Sequence, residues 1–439
     1  MSCFLIEGRR RLEGSLRVQG AKNSALPILA AAAATGRPCL IHNCPVISDI
    51  QAAIGILRAI GCEVRTSGGD VYIDSSTINS SDIPDRLMRE MRSSIIFLGA
   101  LLTRTGEASF TAPGGCDIGL RPFDLHLLSL KKLGVAVEQR RGRIHCSCPG
   151  RVRPAQIALS FPSVGATENI ILSSVRAAGT TTVINAAREP EIADLAGFLN
   201  ACGARITGAG SGTVTIEGVE RLRSAEYTVM PDRIAACTYM AAAAVTGGNL
   251  ILEDVIPAHL STVITSFEQA GCRIDHTRRR LRLLAPERPE SMETIRTMPY
   301  PGFPTDCQPV LTAVACVCRG TTFIKENIFE NRFRYIGELN RMGADIVVNG
   351  TAAAVRGVER LHSATVSATD LRAGAALVVA GLCAEGTTAV ERIGYIDRGY
   401  ESLEKKLASI GASIKRTDNY ENFKSGTSGK TDSGKESQI

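Results

Sequence analysis

The sequence predicts an α/β protein of two domains, each made of three similar units of about 70 residues. The chain has 439 residues, which is more than one hydrophobic core usually organises. It also repeats one pattern six times: a helical stretch ends in an apolar residue, a glycine follows, and a strand pattern begins. The six glycines are Gly61, Gly134, Gly203, Gly271, Gly343 and Gly411, separated by 73, 69, 68, 72 and 68 residues.

Each unit is predicted to begin with an inner helix that is rich in alanine and apolar nearly all round, and therefore buried. A strand, an amphipathic outer helix and a β-hairpin should follow. A second set of glycines ends the inner helices: Gly36, Gly106, Gly179, Gly247, Gly320 and Gly386. Segments that show this order are 235–245 and 374–383 (inner helices), 181–185 and 322–325 (strands), 125–133 and 264–270 (outer helices), and 273–275 with 281–284 (a hairpin). Because buried helices do not suit a thin solenoid, we expect two groups of three units, each closed around its own inner helices.

Charge and hydrophobicity argue against two classes of partner. The net charge of +6 and the isoelectric point near 8.6 are mild, and no stripe of Lys and Arg alternates with aromatic residues, so we expect no nucleic acid. No run of eighteen apolar residues is present, so we expect no membrane insertion. Residues 417–439 are rich in Lys, Ser, Gly and Thr and are predicted to be disordered.

The fourteen cysteines are predicted to be reduced, buried thiols. Many lie inside apolar runs, and the first ten residues lack the pattern of an export signal, which favours a cytoplasmic protein. The chain has no Cys-x-x-Cys pair, and the spacing of Cys146 from Cys148 does not suit zinc. A metal site is therefore not expected.

Four cations stand where inner helices are predicted to begin: Lys22, Arg92, Arg233 and Arg372. A helix N-terminus carries a partial positive charge, so a cation there is unfavourable unless an anion is also present. Two groups of helices that face each other in this way would form an electropositive cleft. We expect its ligand to be a multiply charged phosphate or carboxylate compound.

The segment 113–122 is predicted to be an exposed loop, because it contains three glycines and two prolines. Cys116 lies in this loop, five residues before Arg121. Nearby cations would lower the pKa of such a thiol and make it reactive. From the spacing alone, a surface thiol without a function is an equally good interpretation.

The loop and eight further motifs resemble the UDP-N-acetylglucosamine enolpyruvyl transferases, over residues 1 to about 416. The motifs are PGGCDIGLRPFDLH (113–126), GAKNSALP (20–27), SVGAT (163–167), AREPEI (187–192), PDRI (231–234), FPTD (303–306), FENRF (329–333), ATDLR (368–372) and IDRGY (396–400). The resemblance implies a two-domain inside-out α/β barrel of six βαβαββ-type units. It also implies a first domain of 1–21 plus 231–416 and a second of 22–230, which carries the Cys116 loop.

The resemblance further implies the reaction. Members of the family transfer the enolpyruvyl group of phosphoenolpyruvate to the 3′-hydroxyl of UDP-N-acetylglucosamine and release phosphate, by addition and then elimination. This is the first committed step of peptidoglycan precursor synthesis. No metal or organic cofactor is implied. Nothing in the sequence decides the oligomeric state, and a monomer is compatible with it.

Site residues are carried over by matching positions. Cys116 matches the proton donor to phosphoenolpyruvate, and Asp306 matches the base or orienting group at the 3′-hydroxyl that adds to phosphoenolpyruvate; a plain helix cap is the alternative for Asp306. Cations for phosphate and carboxylate are Lys22, Arg121 and Arg398. Neighbouring ligands are Asn23 and Arg92. Contacts to the sugar nucleotide are Arg121, Pro122, Phe123, Asp124, Leu125, Ser163, Val164, Gly165 and Ile328, with Asp124 suited to accept hydrogen bonds from the uracil. Asp49 and Arg372 match positions near the cleft.

Three departures from the family pattern keep other functions open. Phe161 stands where some members have lysine, Ala235 where glutamate is usual, and Tyr395 where histidine is commoner. One alternative is the sister enolpyruvyl transferase that acts on shikimate 3-phosphate, although the Cys116 loop argues against it. The other is a paralogue that binds the nucleotide without catalysis.

Overall fold

The computed structural model describes residues 2–111, 123–140 and 142–418, without the side chains of Arg92 and Arg140. The predicted Cys116 loop, with Arg121 and Pro122, lies outside the described residues. So does most of the tail predicted to be disordered, whose first residue, Thr417, is the last residue of a strand.

The described ranges contain thirteen α-helices, which account for both the inner and the outer helices of the predicted units. They are α1 (Lys22–Thr35), α2 (Ser48–Ala59), α3 (Asp85–Glu90), α4 (Phe97–Thr105), α5 (Asp124–Lys132), α6 (Val164–Ser174), α7 (Pro190–Ala201), α8 (Arg233–Val245), α9 (Ser261–Gln269), α10 (Gln308–Ala315), α11 (Ile336–Arg341), α12 (Leu371–Cys383) and α13 (Leu403–Ser409). Five short 3-10 helices are also present in these ranges: Arg92–Ile96, Pro257–Leu260, Thr305–Cys307, Arg332–Tyr335 and Ile393–Arg398. No helix of the described chain has the length and apolar character needed to cross a membrane.

Twenty-three strands in the described ranges form six small sheets. They are β1 (Cys3–Glu7), β2 (Glu13–Arg17), β3 (Pro38–His42), β4 (Glu63–Ser67), β5 (Asp70–Asp74), β6 (Glu107–Thr111), β7 (Ala136–Arg140), β8 (Arg143–Ser147), β9 (Gln156–Ala158), β10 (Thr180–Ile184), β11 (Arg205–Thr207), β12 (Thr213–Glu217), β13 (Ala225–Thr228), β14 (Asn249–Glu253), β15 (Arg273–His276), β16 (Arg280–Leu284), β17 (Thr294–Arg296), β18 (Thr321–Lys325), β19 (Asp345–Asn349), β20 (Ala352–Arg356), β21 (Thr365–Ser367), β22 (Thr387–Glu391) and β23 (Ser413–Thr417).

The sheets repeat one arrangement, as the sequence predicts. Five described sheets have four strands, in the orders β21-β22-β1-β23, β11-β12-β10-β9, β13-β3-β5-β4, β15-β16-β14-β2 and β17-β18-β20-β19, and the sixth has three, β6-β8-β7. In the four-stranded sheets a central strand pairs in parallel with one neighbour and antiparallel with the other. In the sixth sheet a single parallel bridge, Asp82 to Ser109, takes the place of the fourth strand.

The repeat glycines have a conformational cause. Gly61, Gly134, Gly203, Gly271, Gly343 and Gly411 all have positive φ, between 82° and 106°. Each follows an outer helix and turns the chain into the next strand. A side chain is strained in this region of backbone space, so the period of the sequence records a turn that favours glycine six times.

The inner helices pack in two groups of three, which confirms the predicted arrangement. Helices α1, α4 and α6 contact one another, and so do α8, α10 and α12. Every residue of α8 is buried, and so is every residue of α12 except Cys383. The α8–α10–α12 core includes apolar side chains from Phe4 to Val18 and from Ile234 to Ile414, whereas the α1–α4–α6 core takes its buried side chains from Ala21 to Met230.

The chain passes between the two cores at two points that lie side by side. Gly20 and Pro231 form an antiparallel bridge. The amide of Ala21 donates to the carbonyl of Met230 at 2.7 Å, and the amide of Asp232 donates to the carbonyl of Gln19 at 2.8 Å. The starts of α1 and α8 are therefore held against each other.

Candidate active site

Lys22, Asp49 and Arg398 form one buried ion cluster where the two cores meet. Lys22 is the first residue of α1, Asp49 lies in the first turn of α2, and Arg398 ends the 3-10 helix Ile393–Arg398 on the other core. Lys22 Nζ lies 2.6 Å from Asp49 Oδ2, and Arg398 Nε donates to Asp49 Oδ1 at 2.9 Å. The side chains of Lys22 and Asp49 are only 9% and 4% exposed, and that of Arg398 is 17% exposed.

The charges of this cluster influence each other strongly. Burial lowers the pKa of Lys22; Asp49 opposes this shift, while Arg372 and Arg398 add to it. Burial alone would raise the pKa of Asp49, but Lys22 and Arg398 outweigh burial and hold it below its ordinary value. The cluster is therefore an ionised carboxylate between two cations, with a third cation, Arg372, close enough to affect it.

Asp306 lies between two arginines in a second cluster. Arg332 Nη2 donates to Asp306 Oδ1 at 3.1 Å, and Arg372 donates to Oδ2 through both Nε and Nη2, at 3.2 and 3.1 Å. The side chains of Arg332 and Arg372 are almost fully buried. A carboxylate held by two guanidinium groups has a fixed orientation, so Asp306 is more than a helix cap.

Asp232 joins the starts of two inner helices, one from each core. Its Oδ1 accepts hydrogen bonds from the amides of Ile234 and Ala235 at 2.8 and 3.0 Å, which caps α8. Its Oδ2 accepts from the amide of Lys22 at 3.2 Å, at the start of α1. Because Lys22 belongs to the first cluster, this carboxylate fixes the position of that cluster relative to α8.

Glu326 organises the loop that carries Ile328. This buried carboxylate accepts hydrogen bonds at Oε1 from the Thr297 hydroxyl at 2.9 Å and from the amides of Ile328 and Phe329 at 2.8 and 3.1 Å. Its Oε2 accepts from the Thr305 hydroxyl at 3.1 Å. One side chain thus positions both the Ile328 loop and the residue before Asp306.

The starts of α5 and α6 lie together, as far as the described residues extend. A β-carbon added at Gly165 would lie 2.9 Å from Cε1 of His126, so the backbone of α6 approaches this ring closely. The hydroxyl of Ser163 caps α6 by accepting from the amide of Ala166. Asp124 and the half-buried Leu125 form the first turn of α5. Predicted nucleotide contacts that are far apart in sequence are therefore neighbours.

For the other predicted site residues in the described ranges, the structure gives the position in the fold and the burial. Phe123 precedes α5 and packs against the core, as does Val164. Asn23 is half-buried in the first turn of α1, and Arg92 begins a 3-10 helix. Cys116, Arg121 and Pro122 lie outside the described residues, and the roles of all the predicted site residues remain predictions.

Sequence reasoning expected the four cations at helix starts to require an outside anion, and for the three whose side chains are described the structure supplies carboxylates of the protein instead. Lys22 pairs with Asp49, Arg372 with Asp306, and Arg233 with Glu191 at 3.0 Å. The residues missed were the carboxylates Glu191, Asp232 and Glu326 and the buried Arg332. Glu191, Asp232 and Arg332 stand in the AREPEI, PDRI and FENRF motifs, which were the available signal; Glu326 had none.

A cavity of about 500 Å³ opens beside the first cluster. Its lining includes Arg398, Arg89, Arg392 and one carboxylate, Glu90. The phenol oxygen of Tyr395, which replaces the commoner histidine, accepts from Arg392 Nη2 at 2.9 Å. The cavity is therefore electropositive and suited to an anion. The described residues contain no group of three or more His, Cys, Asp or Glu placed to hold a metal ion.

The chain is similar over nearly its whole length to known proteins. The family model described as EPSP synthase (3-phosphoshikimate 1-carboxyvinyltransferase) matches residues 6–407. UDP-N-acetylglucosamine 1-carboxyvinyltransferase 2 of Caldanaerobacter subterraneus subsp. tengcongensis is 52% identical over 95% of this chain and 100% of its own length. UDP-N-acetylglucosamine 1-carboxyvinyltransferase 1 of Symbiobacterium thermophilum is 47% identical over 94% of this chain and 95% of its own.

Two solved structures are similar in fold. The enolpyruvyl transferase NikO from Streptomyces tendae is 27% identical, with a TM-score of 0.86 over 95% of this chain and 99% of its own. An EPSP synthase from Acinetobacter baumannii is 18% identical, with a TM-score of 0.73 over 95% of this chain and 100% of its own. This likeness confirms the predicted inside-out α/β fold. On the strength of these matches, the chain belongs to the UDP-N-acetylglucosamine 1-carboxyvinyltransferase family of enolpyruvyl transferases.

Proposed function

We propose that this protein transfers the enolpyruvyl group of phosphoenolpyruvate to the 3′-hydroxyl of UDP-N-acetylglucosamine and releases phosphate. The hydroxyl oxygen adds to the central carbon of phosphoenolpyruvate while a proton is added to the methylene carbon. Loss of phosphate from the central carbon and of one proton from the neighbouring carbon then restores the double bond in the product. The product is the first committed precursor of peptidoglycan.

The observation that carries this proposal is the convergence of cations from both cores. Lys22 comes from one core and Arg398 from the other, and both contact Asp49. Phosphoenolpyruvate carries a phosphate and a carboxylate, so a site that holds it needs several cations close together. Cations already fixed by the protein need little reorganisation when negative charge develops on the substrate.

The remaining roles are carried over from the family resemblance, residue by residue. Asp306, held between Arg332 and Arg372, orients the attacking 3′-hydroxyl or accepts its proton. Phe123, Asp124, Leu125, Ser163, Val164, Gly165 and Ile328 contact the sugar nucleotide, together with Arg121 and Pro122. Asn23, Arg92, Arg121 and Arg372 line the phosphoenolpyruvate site, and Cys116 donates the proton.

Organisation and location are part of the same proposal. We place the domain boundaries at 1–21 plus 231–416 and at 22–230, supported by the membership of the two hydrophobic cores. A cytoplasmic location is supported by the cysteines, since twelve of the 13 in the described ranges are buried and all 13 are free thiols.

A second acceptor, shikimate 3-phosphate, has one observation in its favour. The matching family model bears the description 3-phosphoshikimate 1-carboxyvinyltransferase. The relatives above 45% identity are named for UDP-N-acetylglucosamine instead, and they cover nearly the whole chain. The nucleotide is therefore the acceptor that we propose.

The experiment measures phosphate released from phosphoenolpyruvate, with and without UDP-N-acetylglucosamine. We expect release only with the nucleotide, and a near-complete loss of release in Cys116→Ala. Cys383→Ala is the matched control, because Cys383 is the last residue of α12, at the opposite end of that helix from Arg372. It should retain the native rate. Folded protein that binds the nucleotide but releases no phosphate would instead identify a non-catalytic paralogue.

A further inference from the structure

A second cavity, of about 460 Å³, lies at the other end of the α1–α4–α6 core. Its lining includes Thr103 to Thr105 at the end of α4 and Ser173 near the end of α6. The predicted nucleotide contacts lie at the start of α6, nine residues earlier. At 1.5 Å per residue this places Ser173 about 14 Å along the helix from them. The cavity is therefore separate from the cleft.

The lining of this cavity carries an excess of positive charge. Three of its side chains are guanidinium groups, Arg104, Arg151 and Arg176, and one is a carboxylate, Glu107. Within the described residues none of the three arginines forms a salt bridge. Burial lowers the pKa of Arg176, and the neighbouring charges of Arg151 and Arg104 lower it further. Like charges held this close favour a bound anion.

Part of this cluster has an ordinary structural role. Arg151 donates through Nε and Nη2 to the carbonyls of Arg176 and Ala177, at 2.6 and 2.7 Å. Arg176 donates through Nη1 to the carbonyl of Thr103 at 3.2 Å. These bonds satisfy carbonyls at helix ends. They leave Nη1 of Arg151 and Nη2 of Arg176 without a hydrogen-bond partner in the part of the chain that the structure describes.

Two further donors, Nε of Arg104 and the hydroxyl of Ser173, have no acceptor among the described residues. Arg104 forms one hydrogen bond to a described residue, from Nη2 to the carbonyl of Ser76 at 3.3 Å, and its buried Nε has no partner there. Ser173 is 1% exposed and lines the cavity, yet its hydroxyl has no partner among the described residues either. A buried polar group is normally satisfied, so unmatched donors beside a cavity indicate a missing acceptor.

We propose that this cavity binds a phosphate group, either as inorganic phosphate or as a small phosphate monoester. The three guanidinium groups and one carboxylate leave two net positive charges, which a phosphate dianion matches. Planar guanidinium groups suit the paired oxygens of phosphate. The cavity is larger than one phosphate, which leaves space for the organic part of an ester.

The test uses equilibrium dialysis of the full chain with inorganic phosphate and, separately, glycerol 3-phosphate, at constant ionic strength. Ser173→Ala and Arg104→Gln should each weaken one class of phosphate binding about tenfold or more, as expected for a hydrogen bond to a charged group. Ser174→Ala is the matched control: Ser174 is equally buried and its hydroxyl is also unmatched among the described residues, but it does not line the cavity. Its isotherm should be native.

The outcomes separate the alternatives. Tighter binding of glycerol 3-phosphate than of phosphate supports a monoester ligand, and the reverse order supports free phosphate. Phosphate can also bind in the active-site cleft. That binding should persist in Ser173→Ala and Arg104→Gln and disappear in Arg398→Gln. Equal isotherms for Ser173→Ala and Ser174→Ala would overturn the proposal. A native isotherm for a folded Arg104→Gln would also overturn it. So would the finding that neither phosphate nor glycerol 3-phosphate binds outside the cleft.

Discussion

Replacement of Asp49 by asparagine tests the ion cluster at the junction of the two cores. The substitution keeps the shape of the side chain and removes its charge. Lys22, whose side chain is 9% exposed, would then keep a buried positive charge without its counter-ion, next to Arg398. Breaking a buried ion pair in this way costs about 3–5 kcal/mol. We therefore expect the free energy of unfolding to fall by about 3 kcal/mol at neutral pH, measured by urea unfolding without phosphate in the buffer.

Asp254→Asn is the matched control. Asp254 is also a carboxylate with two arginine partners, Arg17 and Arg279, and its side chain is 14% exposed. Those partners are 77% and 63% exposed, so they remain hydrated when the charge is removed. Ion pairs of this kind contribute about 0–1 kcal/mol. A loss in Asp49→Asn no larger than in Asp254→Asn would refute the assignment of the cluster as a buried ion network.

The pH dependence of the free energy of unfolding is a second, independent test of the ion cluster. The pKa of Asp49 is lowered in the folded state, so its contribution is present above its ordinary value of 3.8 and is lost as the pH falls through the lowered value. The native protein should show this loss in acid, and Asp49→Asn should lack it. The pKa of Lys22 is lowered from 10.5, and without Asp49 it should fall further. The variant should therefore recover stability as the pH rises from neutral towards the ordinary value of 10.5, because the buried amine loses its proton in the folded state before it does in the unfolded chain.

Two further variants, one of them with a matched control, test positioning carboxylates. Asp232→Ala removes an acceptor for three backbone amides at the starts of α8 and α1, and should lower the free energy of unfolding by about 1–2 kcal/mol in urea. Asp370→Ala is the matched control, because it removes a cap from α12 alone, and it should lower the free energy of unfolding by less than Asp232→Ala does. An equal loss would show that the hydrogen bond from the Lys22 amide to Asp232 contributes nothing. Glu326→Gln disturbs the loop of Ile328, so steady-state kinetics should show a raised KM for UDP-N-acetylglucosamine and a smaller change in kcat. An unchanged KM would contradict a role for that loop in nucleotide binding.

The repetitive part of the fold could be predicted because its causes are local. An alanine-rich helix at 235–245 has no polar face to expose, and the helix in the structure, Arg233–Val245, is buried throughout. Gly61 and its five equivalents mark turns with positive φ. The errors are confined to helix and strand ends: α12 begins three residues before the predicted 374, and α9 spans Ser261–Gln269 where 264–270 was predicted.

The site could be predicted only in part, because its pairings are not local. The cations at helix starts were visible in the sequence, and three of the four, Lys22, Arg233 and Arg372, have an anionic partner, although it is a carboxylate of the protein. Which anion each has depends on contacts such as Asp49 with Arg398, which are 349 residues apart. Glu326 gave no signal, because one carboxylate after a strand looks the same whether it is buried or exposed. Only the packed chain shows that Glu326 accepts four hydrogen bonds.

The most direct test of the proposed function is a competition between acceptors. The protein would be incubated with phosphoenolpyruvate, UDP-N-acetylglucosamine and shikimate 3-phosphate at equal concentrations, and the products identified by mass spectrometry. We predict the enolpyruvyl ether of UDP-N-acetylglucosamine and no product from shikimate 3-phosphate. An enolpyruvyl product from shikimate 3-phosphate, or no product from a folded protein, would contradict the proposal.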